Sequence, residues 1–249
     1  QANLSQSFGA EFDRGDAPAL FAEWRGRFPS PFAAYVDGGD WVLVSNSPEC
    51  FLDVRGAAIA TYPIKGTRPV ADGADRAAAA AELAADSKDL AEHVMIVDLE
   101  RNDLGRICET GSVRVATMQE LRHFPMLVHM VSEIRGTLRE GVGLAGVLRA
   151  TFPGGSITGA PKVRAMQIIE ELEPRARGFY TGSIGWIEPG GRLRFNIAIR
   201  TALVDRAGLS FHAGGGIVAD SDPDREYEET LAKSRSLFRI LSGAAAAAP

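Results

Sequence analysis

One lysine in this sequence stands in a setting suited to chemistry. Lys65 follows the Pro63 turn and precedes Gly66, with the hydroxyl of Thr67 and the guanidinium of Arg68 close behind it. Desolvation and a neighbouring positive charge both favour the neutral form of an amine, which is a good nucleophile. Taken alone, Lys65 is an ordinary surface amine. Combined with the carboxylates and glycines described below, it suggests addition–elimination chemistry on a small polyanion.

Two pairs of acidic residues have helical spacing. Asp89 and Glu92 are three positions apart in one predicted helix, and Glu226 and Glu229 have the same spacing in the last predicted helix, with Lys233 on the same face. Brought together, the two pairs would supply oxygen ligands to one Mg²⁺. The alternative is two solvated helix faces, since acids in the first turns of a helix are favoured electrostatically in any case.

Two glycine-rich segments are suited to binding anions. Gly214–Gly216 follows a predicted strand, and backbone amides in such a run can approach an anion closely, although a plain tight turn is the alternative. The loop from Pro153 to Pro161 opens a helix whose N-terminus can hold a carboxylate. It is not a Walker loop, because Lys162 follows a proline and the spacing differs.

Single residues elsewhere have two interpretations each. Arg200 ends a predicted strand and can clamp a carboxylate with two hydrogen bonds, or form a surface ion pair. His129 lies among apolar residues, which favours a hydrogen-bonded core histidine. Glu49 alone is a loop acid, and Cys50 and Cys108 lack the surroundings of a nucleophile. None of these residues identifies a function by itself.

The elements that position these residues follow from periodicity and turn signals. The predicted strands are 41–45, 57–61, 112–118, 180–187, 192–204 and 209–213, and segment 127–133 is of either type. The predicted helices are 74–85, 87–102, 143–150, 162–172 and one that begins after Asp222 and Pro223. In helix 162–172 we expect Val163, Met166, Ile168 and Ile169 to face inward. Hairpin turns outnumber parallel βαβ signals, which favours an α+β fold with antiparallel sheets.

Composition limits the class of protein. The 249 residues are 45% hydrophobic and 24% charged, an ordinary soluble globular profile, and the net charge of −5 disfavours nucleic acid as a partner. No apolar stretch approaches the roughly 18 residues that span a bilayer, so no membrane association is expected. The two cysteines lack metal-like spacing and indicate a reducing, cytoplasmic compartment. We expect one catalytic domain over residues 1–243, with 244–249 as a tail or linker.

Read jointly, these segments resemble the family of chorismate-utilising enzymes, over nearly the whole chain and in the family's order. The matching segments are Gln1–Gln6, Ser47–Glu49, Pro63–Thr67, Asp89–His93, Val97–Asp103, Gly155–Lys162, Ala198–Thr201 and Ala213–Val218. The resemblance implies an α+β fold of two antiparallel sheets packed in layers with surrounding helices.

Within that family, the chain is most similar to the aminodeoxychorismate synthase branch at three features of its sequence. Anthranilate synthases carry alanine where Lys65 stands, and isochorismate and salicylate synthases carry a water-activating lysine near the position of Gln1. The form of residues Gly154–Gly159 is similar to that of the aminodeoxychorismate type. The expected activity is therefore that of component I of such an enzyme.

The resemblance also implies roles for individual residues. Mg²⁺ would be held directly by Glu92 and Glu229, with Asp89 and Glu226 assisting. The carboxylates of chorismate would be bound by Tyr180, Arg200, Lys233 and the amides of Gly214, Gly215 and Gly216, with Thr67 and Ser156 close by. His129 would line the ring side of the pocket.

The implied chemistry uses Glu49 and Lys65. Glu49 would protonate the departing C4 hydroxyl of chorismate, and Lys65 would attack C2. Ammonia would displace Lys65 or add at C2 directly, and a second addition would move the amine to C4. The product would be 4-amino-4-deoxychorismate, the precursor of p-aminobenzoate and folate, with the enolpyruvyl group retained.

Ammonia requires a source. The chain shows no Cys/His/Glu arrangement of the glutaminase kind, so we expect a separate glutamine amidotransferase subunit as partner. Members of the family carry a substantial N-terminal region that this chain, which opens at Gln1, largely lacks. We therefore expect an incomplete regulatory tryptophan pocket and residues missing upstream. Two alternatives remain open: an anthranilate synthase component I, which Lys65 argues against, and a catalytically inactive chorismate-binding fragment.

Overall fold

The computed structural model describes residues 1–70, 75–124 and 127–246. Within these ranges the strands are β1 (Ala2–Ala10), β2 (Phe32–Asp37), β3 (Val42–Ser47), β4 (Cys50–Arg55), β5 (Ala58–Thr61), β6 (Ile64–Pro69), β7 (Arg114–Phe124), β8 (Leu127–Thr137), β9 (Gly185–Ile187), β10 (Leu193–Asn196), β11 (Thr201–Asp205) and β12 (Gly208–Ile217). The helices are α1 (Ala17–Arg27), α2 (Arg76–Ala85), α3 (Ser87–Gly105), α4 (Leu144–Thr151), α5 (Lys162–Leu172) and α6 (Pro223–Ala246).

The chain forms two compact units. The first comprises Gln1–Pro48, Pro161–Ile184 and the chain from Ile197 onward, and the second comprises Glu49–Ala160 and Gly185–Asn196. The first holds a five-stranded antiparallel sheet in the order β1-β12-β11-β3-β2, and the second a seven-stranded antiparallel sheet in the order β6-β8-β5-β4-β10-β9, with β7 also paired to β8. The prediction of an α+β fold with two antiparallel sheets is confirmed.

The core of the first unit lies between its sheet and helices α1 and α6. Trp24 of α1, Phe211 of β12 and Leu237 of α6 are almost fully buried in one cluster, and the indole of Trp24 donates a hydrogen bond of 3.1 Å to Ser236 Oγ. Alternation along the strands places their apolar residues against the two helices. This packing fixes α6, the helix that carries one acidic pair, against β12, the strand that carries the glycine run.

The second unit buries its own cluster under α2 and α3. Leu83 of α2 packs with Val128 and Met130 of β8. These alternate residues of β8 share one face of the sheet, so His129 between them points to the other face. The sheet therefore separates its helix-packed face from the face that carries His129.

Most predicted elements are confirmed, with shifted ends. Segment 127–133, of undecided type, is strand β8, and helix 162–172 has the predicted bounds. Residue 74, the first of predicted helix 74–85, lies outside the described residues, and α2 begins at Arg76. Helix α6 continues to Ala246, into the segment expected to be a tail, and residues 247–249 are not described.

Three predictions about elements are wrong. Predicted strand 180–187 is a turn at Tyr180–Thr181 followed by the short strand β9, and predicted strand 192–204 is two strands, β10 and β11, that belong to different sheets. Arg200 therefore precedes a strand instead of ending one. The glycine run lies inside β12 and does not follow it.

The predicted inward face of α5 is also wrong for two residues. Val163 is 72% exposed and Met166 44% exposed, while Ala165 is the buried residue of the helix. An apolar stripe of small residues packs more closely against a strand than one of large residues. The helix thus turns its smallest apolar side chain, rather than its largest ones, toward β1.

We predict that Leu237→Ala destabilises the first unit by about 2–5 kcal/mol, because it leaves a cavity in a fully buried cluster. The matched control is Leu172→Ala, since that leucine is 57% exposed and its truncation should change stability by about 0.5 kcal/mol or less. Urea unfolding of both variants measures the difference. Equal stability of the two variants would contradict the packing described here.

Candidate functional site

In the first unit, the glycines of β12 and the acidic face of α6 lie together. The backbone of Gly215 leaves so little room that a Cβ would lie 3.3 Å from Glu226 Oε2, 3.8 Å from Glu229 Oε1 and 3.7 Å from Lys233 Nζ. Lys233 Nζ donates to the Gly214 carbonyl at 2.9 Å and pairs with Glu229 at 2.7 Å. The structure therefore brings together three predicted charged residues beside the predicted glycine run.

Close backbone packing is one reason for the glycine run. Gly214 pairs with Ser5 of β1, and Gly215 with Leu4. A Cβ on Gly214 would collide with the backbone of Leu4. Strand β12 pairs with β11 only from Gly208 to Phe211. The glycines therefore lie beyond the part of β12 that pairs with β11.

Tyr180 is held by an aromatic neighbour and a cationic neighbour. It stacks on His212 with ring centroids 5.3 Å apart, and the guanidinium of Arg177 lies 5.8 Å from the ring centroid. Burial raises the pKa of the Tyr180 phenol to about 12, so the phenol is a neutral donor at pH 7. Arg177 in turn is paired with Glu173 at 2.6 Å, which ties the tyrosine turn to the end of α5.

Strained backbone marks the segments that carry Tyr180 and Arg200. Thr181 and Arg200 have positive φ values of 63° and 47°, a conformation that is uncommon for any residue with a side chain and an outlier for a β-branched one. The two segments are joined by hydrogen bonds of 2.9 Å between Thr181 and Ala198 and between Ala198 and Gly182. Such strain persists where the surrounding structure holds it, and it concentrates at functional sites.

In the second unit, Glu49 and Ser156 are in contact. Both are buried, and Ser156 Oγ donates a hydrogen bond of 2.6 Å to Glu49 Oε1. The short 3-10 helix Gly155–Ile157 supplies the serine. Gly155 is needed there because a Cβ would lie 2.9 Å from Leu99 of α3. The loop predicted to bind an anion is therefore packed on α3 and directs its serine at the proposed acid.

Lys65 lies on β6, the edge strand of its sheet, and is half-buried. The pairing of β6 with β8 shifts register between Ile64 and Thr67, so Lys65 lies in an irregularity, which commonly redirects a side chain. Beyond the irregularity, Thr67 Oγ1 and His129 Nδ1 are 2.8 Å apart. The structure thus brings together Thr67 and His129, and places Lys65 on the same strand.

The acidic pair of α3 already has basic partners. Asp89 Oδ2 accepts a hydrogen bond of 2.8 Å from Arg68 Nη1, and Glu92 lies 3.8 Å from Lys88 Nζ. Arg68 also contacts two further carboxylates, so its positive charge is largely neutralised. The effect of Arg68 on the Lys65 amine stays a prediction.

His93 belongs to one of the matching segments, but no role was predicted for it from the sequence. Its side chain is fully buried, and Nε2 lies 2.6 Å from Ser132 Oγ. Burial lowers the His93 pKa to about 4; the Lys65 backbone opposes this lowering and the Lys65 ammonium adds to it. A neutral histidine thus lies under the strand that carries Lys65. Its position four residues after Asp89 on α3 was the available signal.

The donor sets of the two units fit a hard divalent cation. In neither unit do three or more His, Cys, Asp or Glu side chains, among the described residues, converge as a metal cluster. Each unit instead presents one carboxylate pair, the ligand type that Mg²⁺ prefers. The space beside Gly215 that a Cβ would fill adjoins one of these pairs. The assignment of Mg²⁺ to these residues is a proposal.

Comparison with known proteins places the chain in a family. The family model described as "chorismate binding enzyme" matches residues 1–239. The chain is 43% identical over 242 residues to anthranilate synthase component 1 of Aquifex aeolicus, covering 97% of this chain and 49% of that protein. It is 45% identical over 214 residues to aminodeoxychorismate synthase component 1 of Bacillus subtilis, covering 86% of this chain and 46% of that protein.

A solved structure agrees with the fold. The crystal structure of anthranilate synthase component I from Streptococcus pneumoniae superposes with a TM-score of 0.85 at 38% identity, covering 95% of this chain and 52% of that one. The chain belongs to the chorismate binding enzyme family, and it spans about half the length of the curated relatives it matches. Relatives of similar identity carry two different names, so the family is defined and the particular activity is not.

We predict that Gly215→Ala weakens chorismate binding about tenfold while the fold is kept, because the added methyl group crowds the Glu226 carboxylate at 3.3 Å and fills the space beside Lys233. The matched control is Gly190→Ala, where a Cβ would meet nothing within 4 Å. Calorimetric titration with chorismate and thermal unfolding are measured for both variants. Chorismate binding by Gly215→Ala as tight as by the control would remove Gly215 from the site.

Proposed function

We propose that the chain is the chorismate-converting part of an aminodeoxychorismate synthase component I. The observation that supports this most is Lys65, a half-buried lysine on the strand that also carries Thr67, which contacts buried His129. A carbon electrophile requires a nucleophile of this kind, held on a rigid element. The substrates would be chorismate and ammonia, and the product 4-amino-4-deoxychorismate.

The first unit supplies groups for the carboxylates of chorismate. Arg200 offers a planar fork of donors, and Lys233, held at Gly214, offers an ammonium. Tyr180, stacked on His212, keeps a neutral hydroxyl for hydrogen bonding. These positive and neutral donors match a dianionic substrate better than a neutral one.

Glu49 is the proposed acid for the departing C4 hydroxyl. Ser156 donates to Oε1, and this hydrogen bond orients the carboxyl group that is proposed to deliver the proton. When Lys65 Nζ forms a bond to C2, the ring double bonds shift and the C4–O bond breaks; the hydroxyl then takes the Glu49 proton and leaves as water. Ammonia displaces the Lys65 amine at C2, or adds there directly, which gives a 2-amino intermediate. A second ammonia then bonds to C4 as the ring double bonds shift back, and the C2 amine takes up the proton that the incoming ammonia loses and leaves as ammonia.

For Mg²⁺ we propose Glu92 and Glu229 as direct ligands, with Asp89 and Glu226 assisting. The cation, when bound, supplies positive charge that neutralises the ring carboxylate and eases departure of the hydroxyl. Each of these carboxylates must exchange a partner within the protein for the cation, since Glu229 pairs with Lys233 and Glu226 accepts a hydrogen bond of 2.6 Å from Ser221.

The ammonia source and the compartment are further parts of the proposal. A separate glutamine amidotransferase subunit would supply ammonia, and free ammonium should replace it in vitro. No helix of the described chain has the length and apolarity needed to cross a membrane. Cys50 and Cys108 are free, buried thiols, and burial raises the pKa of Cys50 to about 12, which suits a structural role in a reducing compartment such as the cytoplasm.

A second candidate function is anthranilate synthesis. It is favoured by the relative from Aquifex aeolicus, which carries that name and matches 97% of this chain. The two activities differ in whether the enolpyruvyl group is lost. Product identification therefore separates them, and binding of chorismate without turnover would identify an inactive fragment.

We predict that the chain with chorismate, Mg²⁺ and ammonium yields aminodeoxychorismate without pyruvate. Lys65→Ala and Lys65→Arg should both lower this rate about 100-fold or more, because Arg keeps the charge but is not a nucleophile at pH 7. Chromatography of the product, with and without an added aminodeoxychorismate lyase, is the measurement. Full activity of Lys65→Arg would remove the nucleophile role, and rapid release of pyruvate with fluorescent anthranilate would overturn the assignment.

We predict that Glu229→Gln raises the Mg²⁺ concentration needed for half-maximal rate about tenfold or more, because the variant loses a charged ligand. Glu228→Gln is the matched control: it is exposed, adjacent and equal in charge, and should shift the Mg²⁺ titration little. Coincident titration curves for the two variants would argue against Glu229 as a ligand.

A further inference from the structure

One guanidinium in the second unit contacts three carboxylates. Arg68 Nε donates to Glu82 at 2.8 Å, Nη2 to Asp86 at 2.7 Å and Nη1 to Asp89 at 2.8 Å. Nη1 also lies 3.3 Å from the Thr67 carbonyl. The side chain is only 20% exposed. A single positive charge therefore joins β6 to α2 and α3 and faces three negative charges.

The three carboxylates have different environments. Asp86 caps α3 and accepts backbone hydrogen bonds of 3.0 Å from Lys88 and Asp89 through Oδ1. Glu82 is 70% exposed, so its pairing contributes little to stability. Asp89 is better shielded and belongs to the acidic pair that we assign to Mg²⁺. Of the three, Asp89 is the one with a second proposed use.

The charge balance makes Asp89 exchangeable. If Asp89 leaves the guanidinium, Arg68 keeps Glu82 and Asp86 and is not left as a partly buried charge without a partner, which is the costly outcome. Asp89 itself would pass from one cation to another. Neither group pays the desolvation penalty of an isolated charge, so this ion pair can open at low cost.

Asp89 also lies directly against β6. Gly66 has φ of 81°, and a Cβ at that position would lie 3.3 Å from Asp89 Cγ. The carboxyl group thus packs on the backbone between Lys65 and Thr67. If Asp89 changes its partner and moves, the packing of its carboxyl group on the backbone of β6 changes as well, close to the proposed nucleophile.

We propose that Arg68 is a positioning residue that holds the Asp89 carboxylate and releases it to the divalent cation, so that guanidinium and cation compete for this one ligand. The inference rests on the proposed function, in which Asp89 assists cation binding. When no cation is bound, Arg68 neutralises the Asp89 carboxylate and keeps it packed against β6. The cation must compete with this contact, so its affinity is lowered.

The test measures cation binding without chorismate. Mn²⁺ binding to the 249-residue chain is followed by electron paramagnetic resonance, and Mg²⁺ binding by calorimetry, for the wild type, Arg68→Met and Arg101→Met. Arg101 is the matched control, because it pairs with Asp98 on the same helix at 2.8 Å and is well exposed. Arg68→Met should bind Mn²⁺ about three- to tenfold more tightly, as expected for removal of one charge a few ångströms from a divalent ion, and Arg101→Met should bind within about twofold of wild type.

A second variant acts in the opposite direction. Glu82→Gln leaves Arg68 less neutralised, which strengthens its hold on Asp89 and should weaken Mn²⁺ binding about two- to threefold relative to Asp98→Asn, a charge-matched change on α3. Because Glu82 is exposed, Glu82→Gln should fold. It therefore still tests the competition if Arg68→Met fails to fold. Unchanged or tighter binding by Glu82→Gln would then contradict the proposal.

The outcomes separate this inference from the proposed function. Affinity of Arg68→Met that is equal to or weaker than that of Arg101→Met overturns the competition, while the wild-type affinity for Mn²⁺ and Mg²⁺ still supports a cation site. A wild-type chain that binds neither ion removes the cation from the proposed function and this inference with it.

Discussion

The attachment of β6 to the rest of the second unit is the constraint on which the proposed chemistry depends. As an edge strand, β6 has a partner on one side only, and its pairing with β8 is irregular between Ile64 and Thr67. Backbone pairing alone would leave Lys65 loosely held. Side-chain contacts attach the strand more firmly. Thr67 contacts His129, and Arg68 contacts Glu82 of α2 and two carboxylates at the start of α3. The proposed nucleophile is therefore positioned by ion pairs and hydrogen bonds around it more than by the pairing of its own strand.

In the first unit, the side chains of the proposed site are positioned by backbone geometry and core packing. The residues that we propose to bind substrate lie in strained or crowded backbone, with positive φ at Thr181 and Arg200 and with Gly214 pressed against β1. Strain of this kind costs on the order of 1–3 kcal/mol per residue and requires a rigid surrounding to hold it. The buried cluster around Trp24 and Leu237 supplies that rigidity. Packing of α6 on β12 therefore supports both the fold and the geometry of Lys233.

Much of this arrangement was predictable because local signals agreed with one another. Pro161 marked the start of α5, and Asp222 with Pro223 marked the start of α6. The break between β10 and β11 was not predictable, because apolar alternation continues through Ile197–Ile199 and the left-handed turn at Arg200 has no local signal. The same holds for the partners of Arg68, which lie 14 to 21 positions away on two different helices and meet only in the folded unit.

Each acidic residue of the proposed cation site has a partner inside its own unit. A carboxylate withdrawn from water without a partner is costly. In the second unit, Arg68 and Lys88 are basic partners of Asp89 and Glu92. In the first, Lys233 pairs with Glu229, and the Ser221 hydroxyl satisfies Glu226. Each unit can therefore fold without a cation, and a cation that binds must displace contacts already made. Its net affinity would be lower than bare carboxylates would give, which would suit the proposed role of a cation that admits substrate and releases product.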